Sequence, residues 1–388
     1  MNKYRISAGE EVLGREEIID FLSKIFGPNY YDARIVQETI FDAEPSMIPK
    51  NFILARSLNG NLIGLVRIVE RNIMLDGAVL TSGGISSVGV KPEWKGQGVA
   101  SNLMNTAIEV MISRGLDISV LYGRRVLDGF YSRFGYYGVG RYIDLEILST
   151  INSDVAIHTI PFRNEHFEFC MQFYNETYSK LSGSVLRDHS VWKYLYLLLE
   201  KGIGGFKALI CLEDKKTTGY LVILDNRLIE ISIPPPIFSS IPGLLRTLNV
   251  QSISIHPRHP FYVYCRTRMN TVLKERFALD GGYMARIINP ESLLKKLGPT
   301  LATRASVIGM SSEIIRLLNY EVDLRNGNVS KTTKPNDIIF ERTETAILLV
   351  LGVISPKDIV GIRWANEKPW IPYLFPELYY HTSALDEV

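Results

Sequence analysis

A chain of 388 residues, 46% hydrophobic and 22% charged, is long enough for two or three globular domains and apolar enough to give each a core. Its net charge of +2 supplies no strongly basic or acidic footprint, which argues against nucleic acid or a membrane surface as the partner. Cys170, Cys211 and Cys265 are odd in number and widely spaced, so no disulfide framework is expected, and the longest apolar run, residues 346–354, is too short to span a bilayer. With no apolar stretch near the first methionine either, a cytoplasmic location is expected.

Residues 14–26 are predicted to be a helix with Ile18, Ile19, Phe21, Leu22 and Ile25 on one face. Strands are expected over 51–57 and 62–74, joined through Asn59-Gly60, and Asp76-Gly77 turns a second hairpin into residues 79–81. A strand over 86–90 meets a proline turn and a glycine-rich loop. A helix follows over 101–114, in which Leu103, Met104, Ala107, Ile108, Met111 and Ile112 recur at helical spacing and Arg114-Gly115 gives the stop. An apolar strand over 118–122 completes an α+β unit ending near Leu148.

The loop in that unit carries the first chemistry. Residues 88–100 read Val-Gly-Val-Lys-Pro-Glu-Trp-Lys-Gly-Gln-Gly-Val-Ala, a strand, turn and glycine loop opening a helix. Loop and first-turn N–H groups have no intrahelical acceptor, and the helix dipole adds positive charge there, so the element is built to hold an anion. Gly96 and Gly98 remove the Cβ atoms that would keep a phosphate from the backbone. The dinucleotide fingerprint fails at Ser101, where its last glycine belongs, and the Gly-Lys-Ser/Thr ending of a nucleotide-triphosphate loop is absent.

What the segment resembles is motif A of the GNAT superfamily of N-acyltransferases, Gln/Arg-x-x-Gly-x-Gly/Ala. Lys95, Gly98 and Ala100 occupy its three places, lysine being a conservative departure at the first. Downstream, Phe130-Tyr131-Ser132-Arg133-Phe134-Gly135-Tyr136 resembles the superfamily's second signature, Phe-Tyr-x-x-Phe-Gly-Tyr/Phe. Phe130, Phe134 and Tyr136 are expected to pack a core edge. Tyr131 matches the tyrosine that many of these enzymes place beside the thioester sulfur.

From 154 to about 288 the pattern repeats loosely: helices over 166–181 and 189–201, strands over 207–212, 218–224 and 227–232, a helix near Leu244 and a strand over 262–265. No phosphate loop survives; the glycine-rich residues 201–205 precede a strand and read as a turn. His256 and His259 are kept off a common helix face by Pro257 and Pro260 and have no cysteine or carboxylate cluster beside them, so they read as a surface turn. No serine stands in a nucleophile-elbow sequence. The remainder offers a helix over 290–297, a hairpin at Asn326-Gly327, a strand over 337–341, helices over 345–351 and 356–361, and an aromatic, proline-rich end.

A tandem pair of acyltransferase folds with an appended α+β domain is similar to the enhanced-intracellular-survival (Eis) family of acetyltransferases. The resemblance implies an α+β protein of three parts: a catalytic GNAT domain over 1–150, a degenerate GNAT-like domain over 151–288 and a sterol-carrier-protein-like domain over 289–388. It also implies a hexamer, a homo-oligomer as partner, and transfer of an acetyl group from acetyl-CoA to a primary amine of a cationic small molecule, aminoglycosides among them, with no metal. On it, Val88, Gly89 and Val90 would pair with the pantetheine arm. Gly96, Gln97, Gly98, Val99, Ala100 and Ser101 would give N–H groups to the pyrophosphate, with Lys95 adding charge. Tyr131 would donate to the departing sulfur, and the α-carboxylate of Val388 would enter the site and help deprotonate the amine. The chain departs from the family in running well beyond Leu374-Phe375-Pro376, and in a longer loop over 123–129 bearing Arg124 and Arg125, to which no role is carried over. Asp32, Asp42 and Glu44 are candidate attractors for a cationic acceptor. Two further readings stay open: acetylation of protein lysines, and a non-catalytic acyl-CoA-binding protein.

Overall fold

β-branched and apolar runs separated by Asn-Gly and Asp-Gly turns close into an antiparallel meander at the start of the chain. The computed structural model of the protein describes residues 3–9, 14–27, 30–123, 125–149, 157–278, 282–365 and 368–386. The first unit contains β1 (Tyr4–Ala8), α1 (Arg15–Phe26), α2 (Tyr30–Ala43), β2 (Phe52–Ser57), β3 (Leu62–Leu75), β4 (Ala78–Val90), α3 (Val99–Ser113), β5 (Ile118–Gly123), α4 (Asp128–Ser132) and β6 (Tyr137–Gly138). The strands expected over 79–81 and 86–90 are one strand, β4, paired with β3 along its length.

The second unit contains β7 (Gly140–Ser149), β8 (His158–Pro161), α5 (Phe167–Tyr178), α6 (His189–Glu200), β9 (Phe206–Glu213), β10 (Lys216–Leu224), β11 (Arg227–Ser232), α7 (Ile241–Thr247), β12 (Ser252–Ile253), α8 (Pro260–Arg268) and β13 (Asn270–Ala278). Then come β14 (Gly282–Ile287), α9 (Pro290–Val307), β15 (Ile314–Leu317), β16 (Tyr320–Asp323), β17 (Val329–Lys331), β18 (Ile338–Phe340), α10 (Ala346–Leu351) and β19 (Ile362–Trp364).

The two large sheets have the same plan. One runs β1-β2-β3-β4-β5-β14-β6 and the other β8-β9-β10-β11-β12-β7-β13. In each, four antiparallel strands are followed by a parallel pair, β4 with β5 and β11 with β12, and then by two antiparallel strands. The sixth strand of each sheet is exchanged: β14 arrives after the second unit, and β7 leaves straight from β6. A paired helix sits between the first two strands of both meanders and one helix between each parallel pair. This is a mixed α+β architecture of two large mixed sheets, with a three-stranded sheet (β15-β16-β17) and a two-stranded one (β18-β19) after them.

The C-terminal elements pack on the first sheet. One apolar core joins Leu75, Leu80, Ile118 and Val120 to Leu293, Leu297, Leu348 and Leu374. No helix among the described residues is long and apolar enough to cross a membrane.

Residues 262–265, expected as a strand, lie in α8. The physical reason is the start signal: Pro260 takes the first helical position, and His259 Nδ1 accepts the Phe261 N–H at 3.1 Å as the N-cap. His256 and His259 are not at a surface turn either; both are 1% exposed.

Candidate active site

The site begins with where two strands part. β4 and β5 pair in parallel only at Ser82↔Ile118, Gly83↔Ser119 and Gly84↔Val120. Beyond Gly84, β4 keeps β3 on one edge and has no strand on the other among the described residues, while β5 stays paired along 118–123 with β14 on its far edge. A bulge marks the gap: Leu65 pairs with Gly89 but Arg67 with Ser86, so β4 holds one extra residue there, and Ser87 takes φ 58. The unpaired edge over 85–90, which contains Val88, Gly89 and Val90, offers backbone groups to an extended ligand. Gly89 lets α1 lie across this strand, since a Cβ on it would stand 3.1 Å from both Phe21 and Ile25.

At the end of β4 the chain makes a 3-10 turn over Pro92–Trp94, and the loop opens α3. Gly96 and Gly98 both take left-handed backbone, φ 77 and 78, and Gly98 is the N-cap. The Lys95 N–H is spent on Pro92 and the first helical bond runs from Asn102 to Gly98. From Gly96 through Gln97, Gly98, Val99 and Ala100 to Ser101, no N–H has a backbone acceptor among the described residues. Lys95 is exposed and has no ion pair among the described residues. Leu103, Met104, Ala107 and Met111 seat α3 on the sheet, fixing where those donors point. Tyr4 braces the loop from β1: its hydroxyl donates to Gln97 O at 3.4 Å and accepts from Asn102 Nδ2 at 2.7 Å.

Tyr131 lies on α4, 7% exposed, its ring 5.1 Å from Phe130 and 6.3 Å from Tyr136. A Cβ on Gly123, at the end of β5, would stand 3.3 Å from this ring, so tyrosine and strand end are in contact. Its hydroxyl has no hydrogen-bond partner among the described residues, and burial pushes its pKa up. Tyr136 behaves differently: fully buried, it is bridged to Ser119 Oγ at 2.6 Å, and Ser119 in turn donates to Gly83 O at 2.6 Å, tying α4's end to the point where the strands part.

Two cavities flank the chain's C-terminal segment, the smaller touching β4 and the larger the end of β5. The smaller, about 200 Å³, is lined by Arg67, Ser86, Ser87, Tyr194, Leu385 and Asp386. The larger, about 550 Å³, is lined by Tyr122, Gly123, Tyr142, Phe206, Arg227 and His381 among others. The segment between them is anchored by Arg187, which is fully buried and holds Glu230 at 2.6 Å and Asp386 at 2.7 Å. Its guanidinium stacks 4.0 Å from the Tyr174 ring centre, and Tyr220 donates to Glu230 at 2.8 Å. Val388 and Arg124 lie outside the described residues, as does the side chain of Arg125.

The acidic candidates are otherwise engaged. Glu44 is buried and takes Arg67 at 2.7 Å and Arg71 at 2.5 Å; burial opposes its charge, but the two guanidiniums outweigh that and hold the carboxyl below its usual range. Asp42 pairs with Arg15 at 2.7 Å, and Asp32 is exposed. No group of three or more His, Cys, Asp or Glu among the described residues is placed to hold a metal ion.

The sequence motifs point to the loop donors and Tyr131. They do not reveal the Ser87 bulge, the Tyr4 brace or the Arg187 anchor, since each depends on partners far along the chain. Residues 14–139 match the acetyltransferase (GNAT) domain family. In structure the chain is similar to a GCN5-related N-acetyltransferase from Anabaena variabilis (TM-score 0.70, 15% identity, 96% of this chain and 97% of that one). It is also similar to one from Kribbella flavida (TM-score 0.65, 14% identity, 99% and 100%) and to Eis1 from Mycobacterium abscessus (TM-score 0.65, 14% identity, 99% and 100%). At such identities these likenesses speak to the fold. No curated protein matches the sequence.

Proposed function

We propose, from the premise that residues 14–139 are a GNAT-type acetyltransferase domain, that the protein moves the acetyl group of acetyl-CoA onto a primary amine of a small molecule by direct attack. The observation that carries this reading is the parting of β4 and β5 after Gly84, which leaves a β4 edge leading to the loop whose N–H groups have no backbone acceptor among the described residues, with the Tyr131 ring against the end of β5. Cavities of about 200 and 550 Å³ suit a small acceptor better than a protein chain.

In the reaction the amine nitrogen attacks the thioester carbonyl carbon. A C–N bond forms as the C–S bond breaks, the amine gives up a proton, and the sulfur leaves as a thiolate that takes one. N–H groups from Gly96 to Ser101 hold the pyrophosphate, aided by Lys95, and the free edge over Val88, Gly89 and Val90 pairs with the pantetheine arm and polarises the carbonyl. Tyr131 donates a hydrogen bond to the developing thiolate. Reference values near 10 for tyrosine and 8.5 for a thiol make full transfer uphill by about 2 kcal/mol, and burial of Tyr131 raises that barrier further. Val388 remains our candidate for taking the amine's proton, supported by Leu385 and Asp386 lining the smaller cavity. A division at 150 and 288, a sterol-carrier-like C-terminal part and a hexamer rest on resemblance alone. So does a polycationic acceptor such as an aminoglycoside, and the paired state of Glu44 and Asp386 gives that acceptor little support.

The test is Tyr131→Phe, read by thiol release from acetyl-CoA with an amine panel. The expected outcome is kcat/KM lower by about 10²- to 10⁴-fold with CoA affinity unchanged. Unchanged turnover would remove Tyr131 from the chemistry.

A further inference from the structure

We infer that the acceptor amine carries a carboxylate, held by Arg227 in the larger cavity between the two sheets. The inference rests on the acetyl-transfer reading and names the class of its acceptor. The cavity is lined at one place by Gly123, which packs against the Tyr131 ring, and at another by Arg227, the first residue of β11, so a molecule filling it lies against both.

Arg227 follows a tight turn in which Asp225 takes φ 54, and this turn places the side chain at the cavity wall. The residue is half-buried, and its guanidinium has no ion pair or side-chain hydrogen bond among the described residues. The other arginines at the gap among the described residues are committed. Arg67 and Arg71 serve Glu44, and Arg187 serves Glu230 and Asp386. Arg276, also on the cavity, lies 3.3 Å from Asp144 and 5.3 Å from the Tyr142 ring centre.

No aspartate or glutamate is among the described residues lining this cavity. His381, on the same wall, is held neutral by burial, with its pKa lowered to about 4. Among the described residues lining the cavity, a polyammonium would therefore meet a cation and no anion. A carboxylate would meet a planar fork of donors matched to its own geometry. One uncommitted guanidinium balances one negative charge, which favours a carboxylate over a phosphate dianion. Tyr122, Tyr142 and Phe206 give flat apolar walls, so the body between the amine and the carboxylate is aromatic or aliphatic. The acceptor is thus an amino-acid-like molecule.

The experiment uses the full chain and acetyl-CoA with phenylalanine, its decarboxylated counterpart phenethylamine, and kanamycin as a polycation. Expected for the unaltered protein is the highest kcat/KM with phenylalanine. Arg227→Gln should raise KM for phenylalanine by about 10- to 100-fold, the size of one charged hydrogen bond, and leave phenethylamine within about twofold. Arg227→Lys should recover part of the loss. A preference for phenethylamine or kanamycin in the unaltered protein, or the same KM ratio in Arg227→Gln, would overturn the inference.

A titration of N-acetylphenylalanine onto the CoA-loaded protein reads the same site without turnover. Tighter binding to the unaltered chain than to Arg227→Gln supports the carboxylate site; equal or undetectable binding to both refutes it. Failure of every amine to release thiol would defeat the transfer reading, and the titration would still decide this one.

Discussion

Gly98 shows how much one residue can fix. It caps α3 with left-handed backbone at φ 78, and a Cβ there would find nothing nearer than Tyr4 Oη at 3.8 Å. The cost of Gly98→Ala is therefore conformational rather than steric, about 1–2 kcal/mol. A melting temperature lower by a few degrees and a smaller stabilisation by added CoA are expected, read by thermal unfolding with and without CoA. A parental response to CoA would remove Gly98 from the phosphate site. The roles of Gly96 and Gly98 as loop glycines were legible because glycine's freedom is a local property. Tyr131 was singled out by the likeness of residues 130–136 to a family signature. Arg227 and Ser87 were not, because the first matters only for what fails to pair with it and the second only for its register against β3.

At the scale of elements, the C-terminal segment is the part whose placement decides the site. Gly183, at φ 97, passes so close to it that a Cβ would stand 2.5 Å from His381 N. His381 N–H donates to Ser182 O at 3.0 Å, and the Arg187–Asp386 pair closes the far end. Gly183→Ala combines a backbone clash with an unfavourable conformation. We expect a loss on the order of 2–4 kcal/mol, with faster proteolysis C-terminal to residue 374 and reduced amine-dependent thiol release. Unaltered melting and cleavage would show that this turn does not hold the segment.

Element types with strong periodicity, such as α1 and α3, were readable from sequence. The run over 262–265 misled because a short aromatic stretch suits strand and helix alike, and His259 acting as a cap settled it. Residues 79–81 and 86–90 looked separate because Gly83 and Gly84 interrupt the apolar pattern. Those glycines are where β5 joins and where Met111 and Leu116 press on the sheet, a Cβ on Gly83 falling 2.4 Å from Met111.

For the whole molecule, the seam between the second unit and the C-terminal segment makes stability depend on pH. His256, His259 and His381 are held neutral chiefly by burial, with pKa values lowered to about 2, 4 and 4. Charge from His381, Arg258 and His259 adds to the effect at His256, while Asp144 opposes it at His381. Their folded values lie below the unfolded value of about 6.5, so the unfolded chain binds more protons once the pH falls under it. Stability from these groups is complete above pH 6.5 and declines toward pH 4, by up to about 1.4 kcal/mol per pH unit for each histidine. Denaturant unfolding from pH 8 to 4 should be flat at first and then fall steeply, and His381→Asn should make the acid slope shallower. The same slope in the variant would place the acid sensitivity elsewhere.

The sequence by itself determined the α+β character, the glycine loop that opens α3, the aromatic run around Tyr131 and the match of residues 14–139 to the acetyltransferase (GNAT) domain family. All of these are written in local spacing, in glycine and proline punctuation, and in short motifs. Only the tertiary structure decided that the two sheets exchange their sixth strands, that β4 and β5 part after Gly84, and that the C-terminal segment runs between two cavities. It also decided that Glu44 is paired with two arginines while Arg227 has no ion pair among the described residues, since charge pairing depends on which distant side chains share a buried space and no run of neighbouring residues encodes that.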